Sequence, residues 1–304
     1  MTHEKKRQKP EKLNKLFLSV FPNTRDNLKQ IFIKVFYLIS IAALLALSVY
    51  FTEYFLYTKH QEDIVKSAVK LKNKCSAADF EKKMLAKNSD YTGWLTVGGT
   101  NIDNPVYKTD NNSFYISHNG EKKKSAYGAL FADYRSKPNA LNTVIYGNNL
   151  KNGDMFGQLS KYRSLEFYKN NPDFEFSAVG GETVTYRVYA VFVLNSLKAD
   201  DDGYIYNISR NSFLNEEDFK DWTDEAFSRS LIDTGVSVSE GDRIITLVTR
   251  ANDFENARLV VMARESHYGD SDRAASATAN PEPLYPAKWY KDKGIAKRSY
   301  EITN

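Results

Sequence analysis

A mostly β domain with helical inserts, preceded by one membrane-spanning helix and a helical stalk, is the architecture this 304-residue sequence predicts. Three observations predict it. An uncharged apolar run, residues 35–52, follows a basic N-terminal stretch. Residues 61–89 are rich in Lys, Ala, Glu and Leu and contain no Gly or Pro. From Tyr91 onward, short apolar or alternating runs are punctuated by turn residues. With 42% hydrophobic and 26% charged residues, the composition is that of a folded protein and excludes wholesale disorder, collagen and a multi-span membrane protein.

Residues 1–34 carry nine Lys/Arg against three acids, a local charge of +6, so the total of +4 leaves the remainder at −2. A balance this even argues against nucleic-acid binding. At about 1.5 Å per residue, a helix over residues 35–52 reaches about 27 Å, close to a hydrocarbon core. Residues 35–56 therefore read as a single span. A cleaved signal peptide is the alternative, but Tyr50, Phe51, Tyr54, Phe55 and Tyr57 crowd the exit where a small-residue cleavage site would lie. Basic residues before the span place the N-terminus in the cytoplasm and the rest of the chain outside. Residues 57–90 form the expected stalk, with Cys75 in its helix. One cysteine excludes an intrachain disulfide and a zinc site built from several thiolates, and no metal or cofactor is expected.

Residues 91–267 hold the β domain, a barrel or a sandwich by strand number. Val184, Tyr186, Val188 and Ala190 alternate with more polar neighbours, as in a strand with one face buried. Two helices interrupt the strands. One is expected over residues 156–170. The other, over residues 215–232, has Asn215 as N-cap and Phe219, Trp222, Ala226 and Phe227 on one face. Beyond His267 the pattern fades. Residues 268–304 read as a linker and a basic-aromatic tail, expected to be disordered or to contact wall polymer, membrane or a partner.

Five ordered segments, at residues 91–118, 128–135, 142–159, 222–250 and 255–265, resemble the class B sortases. These are membrane-anchored cysteine transpeptidases of Gram-positive bacteria that cleave a sorting motif and join the protein to peptidoglycan or a pilin. The resemblance implies a closed β-barrel. It also implies three catalytic groups: a cysteine ending T-L-x-T-C, a histidine in Y-G-H, and an arginine heading R-x-V-V. Here those motifs read Thr246-Leu247-Val248-Thr249-Arg250, Tyr146-Gly147-Asn148 and Arg258-Leu259-Val260-Val261. Only the arginine, an oxyanion or substrate-positioning group, is retained.

A guanidinium has no available nucleophilic lone pair, and a carboxamide exchanges no proton near neutral pH. Arg250 and Asn148 therefore remove both the acyl-enzyme step and its acid/base partner. Thr249 with His118 is the one replacement dyad to weigh, and Cys75 lies outside the barrel segments. Thr246, Leu247, Thr249 and His118 are the expected substrate-binding residues beside Arg250, Arg258 and Asn148. Two adjacent arginines would suit a carboxylate, phosphate or acidic peptide, unless Arg250 turns outward or pairs with Asp253 or Glu255. The resulting expectation is an anchored, catalytically inactive homologue that binds a sorting-motif protein, a pilin or an active sortase, with peptidoglycan as a further contact. An active transpeptidase with a non-standard nucleophile is the alternative.

Overall fold

A computed structural model describes residues 19–137 and 140–298, and its chain contacts divide into two units at residues 63 and 64. The basic residues from Lys5 to Lys15 and the last six positions of the tail lie outside the described residues.

Helix α1, Leu28–Lys72, begins at a reciprocal cap. The Gln30 amide N–H donates to Asn27 Oδ1 (2.9 Å), and the Asn27 N–H donates to Gln30 Oε1 (3.0 Å), which satisfies two of the donors that a helix start leaves unpaired. The expected span lies wholly within α1, and its most apolar window has a mean hydropathy of 2.3. Most side chains of the span are exposed, Leu44 and Phe55 among them. The stalk is not one helix. The chain turns at residues 73–76, Ser76 caps α2 (Ala77–Lys87) by accepting from the Asp79 N–H, and Cys75 stands in the break.

Eight strands close the barrel. They are β1 (Tyr91–Val97), β2 (Asp103–Tyr107), β3 (Leu130–Ala132), β4 (Asn142–Tyr146), β5 (Asp173–Ala178), β6 (Thr183–Asn195), β8 (Ile244–Arg250) and β9 (Ala257–Glu265), in the order β1-β2-β3-β4-β8-β9-β6-β5. Short β7 (Ile232–Asp233) lies outside it. Two pairs are parallel, β2 with β3 and β4 with β8, and the others are antiparallel. Closure leaves the barrel no free sheet edge.

The alternation read in β6 is masked. Every residue from Tyr186 to Asn195 is buried, because the second face is covered as well. Phe219, Trp222 and Ala226 of helix α4 (Glu216–Arg229) pack there with Phe192, Leu194, Val260 and Met262. Helix α4 starts at the predicted cap, with Asn215 Oδ1 accepting from the Asp218 N–H (2.8 Å). It stops short of residue 232 because the Ser230 hydroxyl is held between the Val191 N–H and the Ile232 carbonyl. The helix expected over residues 156–170 is two pieces, a 3-10 turn at Leu159–Arg163 and α3 at Leu165–Asn170. Extended Ser164 separates them and caps the second.

The segment expected to be disordered is folded through residue 298. Helix α5 (Asp270–Ser276) leads into β10 (Thr278–Ala279), which pairs with β7, and then into α6 (Ala287–Lys293). Leu284, Ala287 and Tyr290 are buried, and the Leu284 N–H reaches the Ser228 carbonyl (2.8 Å). Truncating a buried leucine removes transfer energy and leaves a cavity, so Leu284→Ala is expected to cost about 2 kcal/mol. Thermal unfolding of the purified chain checks this; an unchanged midpoint would mean the segment lies on the domain without stabilising it.

Candidate functional site

The barrel's connectivity brings the three motifs to one end. Because β4 and β8 run parallel with Tyr146 opposite Val248, Gly147-Asn148 and Thr249-Arg250 leave their strands side by side. Strand β9 starts at the same end and sets Arg258 opposite Arg250.

Asn148 serves as a structural tie. Its Nδ2 donates to the carbonyls of Ile116 (2.9 Å) and Tyr127 (3.1 Å), and lies 3.4 Å from that of Ala126. The carboxamide thus fastens both arms of the 114–128 loop to the end of β4. Gly128 (φ +65°) makes the approach feasible: a Cβ there would sit 2.7 Å from Asn148 Nδ2 and 2.6 Å from the Tyr115 carbonyl. Asn148→Ala is expected to cost about 1 kcal/mol through the lost hydrogen bonds to the loop. Amide exchange should accelerate across residues 114–129 and stay unchanged in β6, and equal exchange in both regions would contradict this role.

Thr249 is buried, and its hydroxyl donates to the Gly147 carbonyl (2.8 Å). His118 Nδ1 lies 2.8 Å from the Phe114 carbonyl, and its ring stacks on Phe114 at 4.1 Å. No hydrogen bond among the described residues joins Thr249 to His118; each is committed to a local partner. Thr246 and Leu247 are fully enclosed. Thr246 Oγ1 donates to Asn142 Oδ1 (2.9 Å), so these two residues seat β8 instead of lining an open surface. Cys75 belongs to a separate aromatic cluster around Phe80 and Trp94, with its Sγ 3.1 Å from Lys83 Nζ.

Arg258 is half-buried, and Nη1 donates to the Ala257 carbonyl (2.9 Å). Burial, and then the positive charge of Arg250, hold its pKa below the usual guanidinium value, against the opposing influence of Tyr146. Tyr146 in turn donates to Asp133 (3.1 Å). Burial would raise the Asp133 carboxyl, yet hydrogen bonds from Arg135 and Asn112 bring it down to about 2. Arg250 is exposed. Asp253 is not its partner, since both carboxylate oxygens are taken by Arg163 at 2.9 and 2.6 Å. Asn149 Nδ2 ties the Arg250 carbonyl (2.9 Å). An open cavity of about 350 Å³ adjoins these groups, lined by Asn149, Ser160, Arg163, Thr249, Arg250 and Asp253 among others. The Arg163–Asp253 pair spans 90 positions and carries no local sequence signal. The asparagine after Asn148 offered one, because a second carboxamide at a strand end is a ready backbone tie.

A model of the sortase domain family matches residues 95–266. The Sortase B of Listeria monocytogenes serovar 1/2a is 32% identical over 218 residues, which cover 68% of this chain and 85% of the relative. Among solved structures, the X-ray structure of Clostridium perfringens sortase B is 34% identical with a TM-score of 0.56, covering 62% of this chain and 100% of that one. The Staphylococcus aureus sortase B–substrate complex is 25% identical with a TM-score of 0.58, covering 72% and 98% respectively.

Proposed function

This chain belongs to the class B branch of the sortase family, and from that we propose that it is a non-catalytic member, anchored by α1, that binds surface proteins instead of joining them to the wall. Family membership implies surface-protein processing, and a relative solved with its substrate directs attention to sorting-motif proteins as ligands. One observation carries the non-catalytic reading. At the end of β8, where the matching motif of the family carries its thiol, Arg250 faces Arg258 across the ladder, while the carboxamide in the histidine's place is spent on loop carbonyls. Neither a nucleophile nor a proton-transfer group remains at those positions.

Under the same reading, the apolar helix α1 anchors the chain with its N-terminus in the cytoplasm and the barrel outside. There the barrel receives a sorting-motif protein, a pilin or an active sortase, near peptidoglycan. The test incubates the full chain in detergent micelles with sorting-motif peptides and an amine acceptor, read by mass spectrometry. Intact peptides and an unmodified protein are expected. Turnover that survives Cys75→Ala and disappears with Thr249→Ala would overturn the reading.

A further inference from the structure

We propose that the guanidiniums of Arg250 and Arg258 form a binding site for a carboxylate, and that the ligand is an acidic peptide segment. The inference deepens the non-catalytic reading and rests on it. Its first support is register. The Ala251 N–H donates to the Ala257 carbonyl (3.0 Å), which makes 251 and 257 a hydrogen-bonded position and 250 with 258 the neighbouring non-hydrogen-bonded one. Side chains at such a position leave the same face with Cβ atoms about 5 Å apart, and like charges placed there repel. An anion between them turns that repulsion into attraction.

The second support is the absence of internal neutralisation. Among the described residues neither guanidinium forms an ion pair, and the hydrogen bond of Arg258 to a carbonyl leaves most of its donors unused. The acids within reach by sequence lie in the loop joining the strands. Asp253 is held by Arg163, while Glu255 is exposed. Nearby Lys288, whose charge senses Glu255, is itself paired with Asp292. Among the described residues the two guanidiniums therefore have no carboxylate partner, and a carboxylate ligand would supply one.

Geometry points the same way. A planar guanidinium fork fits a planar carboxylate through paired N–H···O bonds. Arg258 is half-buried between fully buried Ala257 and Leu259, where a charge-assisted bond is screened less than at an open surface. The 350 Å³ cavity is lined by Arg250 together with Asn149, Ser160 and Asn252, and leaves room beside that guanidinium for residues flanking the acid; Arg258 is not on its wall.

The experiment passes two random hexapeptide libraries, one ending in a free carboxylate and one in an amide, over the immobilised full chain in detergent, and identifies retained peptides by mass spectrometry. Preference for the free-acid library identifies an α-carboxylate. Enrichment of Asp and Glu within the amide library identifies a side chain, and either supports the site. The enrichment is expected to fall about tenfold or more in Arg250→Gln, whose exposed position spares the fold, and to fall in Arg258→Lys, which keeps the charge and loses the fork. Three results would overturn the site: retention blind to carboxylates, enrichment that survives Arg250→Gln, or displacement by inorganic phosphate where acetate at equal ionic strength has no effect. Cleaved peptides in the eluate would sink the non-catalytic reading while leaving carboxylate selection standing. Intact but unselected peptides would do the reverse.

Discussion

The Arg250→Cys and Asn148→His double substitution is expected to raise sorting-motif cleavage about 10²- to 10⁴-fold above the chain as it stands, the range a positioned general acid–base contributes. Both changes act at strand ends that the barrel already holds adjacent, β8 for the thiol and β4 for the imidazole. Arg258 would lie directly opposite the new thiol and favour its thiolate form. Either substitution alone should remain at background, because a thiol without its proton partner and an imidazole without a nucleophile each lack half of one unit, and losses within such a unit do not add. Alkylation by iodoacetamide separates the causes of failure. A double variant that alkylates at position 250 and still cleaves nothing would place the loss of activity in the groove, beyond these two side chains.

The second large effect concerns stability. Asp270→Asn is expected to cost about 3–5 kcal/mol, on the order of a fifth or more of the stability of an ordinary domain. Arg264 is 1% exposed. Its Nη1 and Nη2 reach the two Asp270 oxygens at 2.5 and 2.7 Å, while Asp242 stands 3.7 Å from Nε. Removing the carboxylate leaves a buried guanidinium with its charge largely uncompensated. The Asp270 main-chain carbonyl also accepts from Arg187 (2.6 Å), and its side chain accepts the His267 N–H, so strand, turn and α5 meet at one residue. Burial would raise the Asp270 carboxyl, but Arg264 and the His267 N–H bring it down to about 2. A depressed carboxyl stabilises fully above its unfolded value of about 3.9 and loses that contribution as pH falls toward 2. Denaturant titrations between pH 5 and pH 2 should show a steep acid limb that Asp270→Asn flattens; parallel limbs would contradict the assignment.

The site was legible wherever the chemistry is written in consecutive residues. Arg250, Asn148 and Arg258 each occupy a recognisable place in a strand-end motif, and the barrel brings those ends together. Helix α4 was equally legible, since its cap and its apolar stripe are both local. Contacts across long sequence separations were not. Nothing near Arg163 announces Asp253, and nothing in Thr278-Ala279 announces a pairing with Ile232-Asp233. The folded tail went unread for the same physical reason: its own sequence is too short of apolar period to specify structure, and its order comes from α4 and β7. Ser164 broke an expected helix because a side chain that caps also ends the preceding turn.

Strand order has a consequence for how the protein is made. β9 lies between β8 and β6 in the barrel yet is the last of the eight strands to leave the ribosome. Until residues 257–265 emerge, thirteen-residue β6, apolar over most of its length, has an unpaired edge toward β9, and β8 has another. The nascent chain thus spends the end of translation as an open sheet with two sticky margins, the condition that invites intermolecular pairing. A chain released after stalling between residues 250 and 257 would need a holding chaperone, whereas one that extends past Asp270, the partner of buried Arg264, has every strand and the ion pair that closure of the barrel needs.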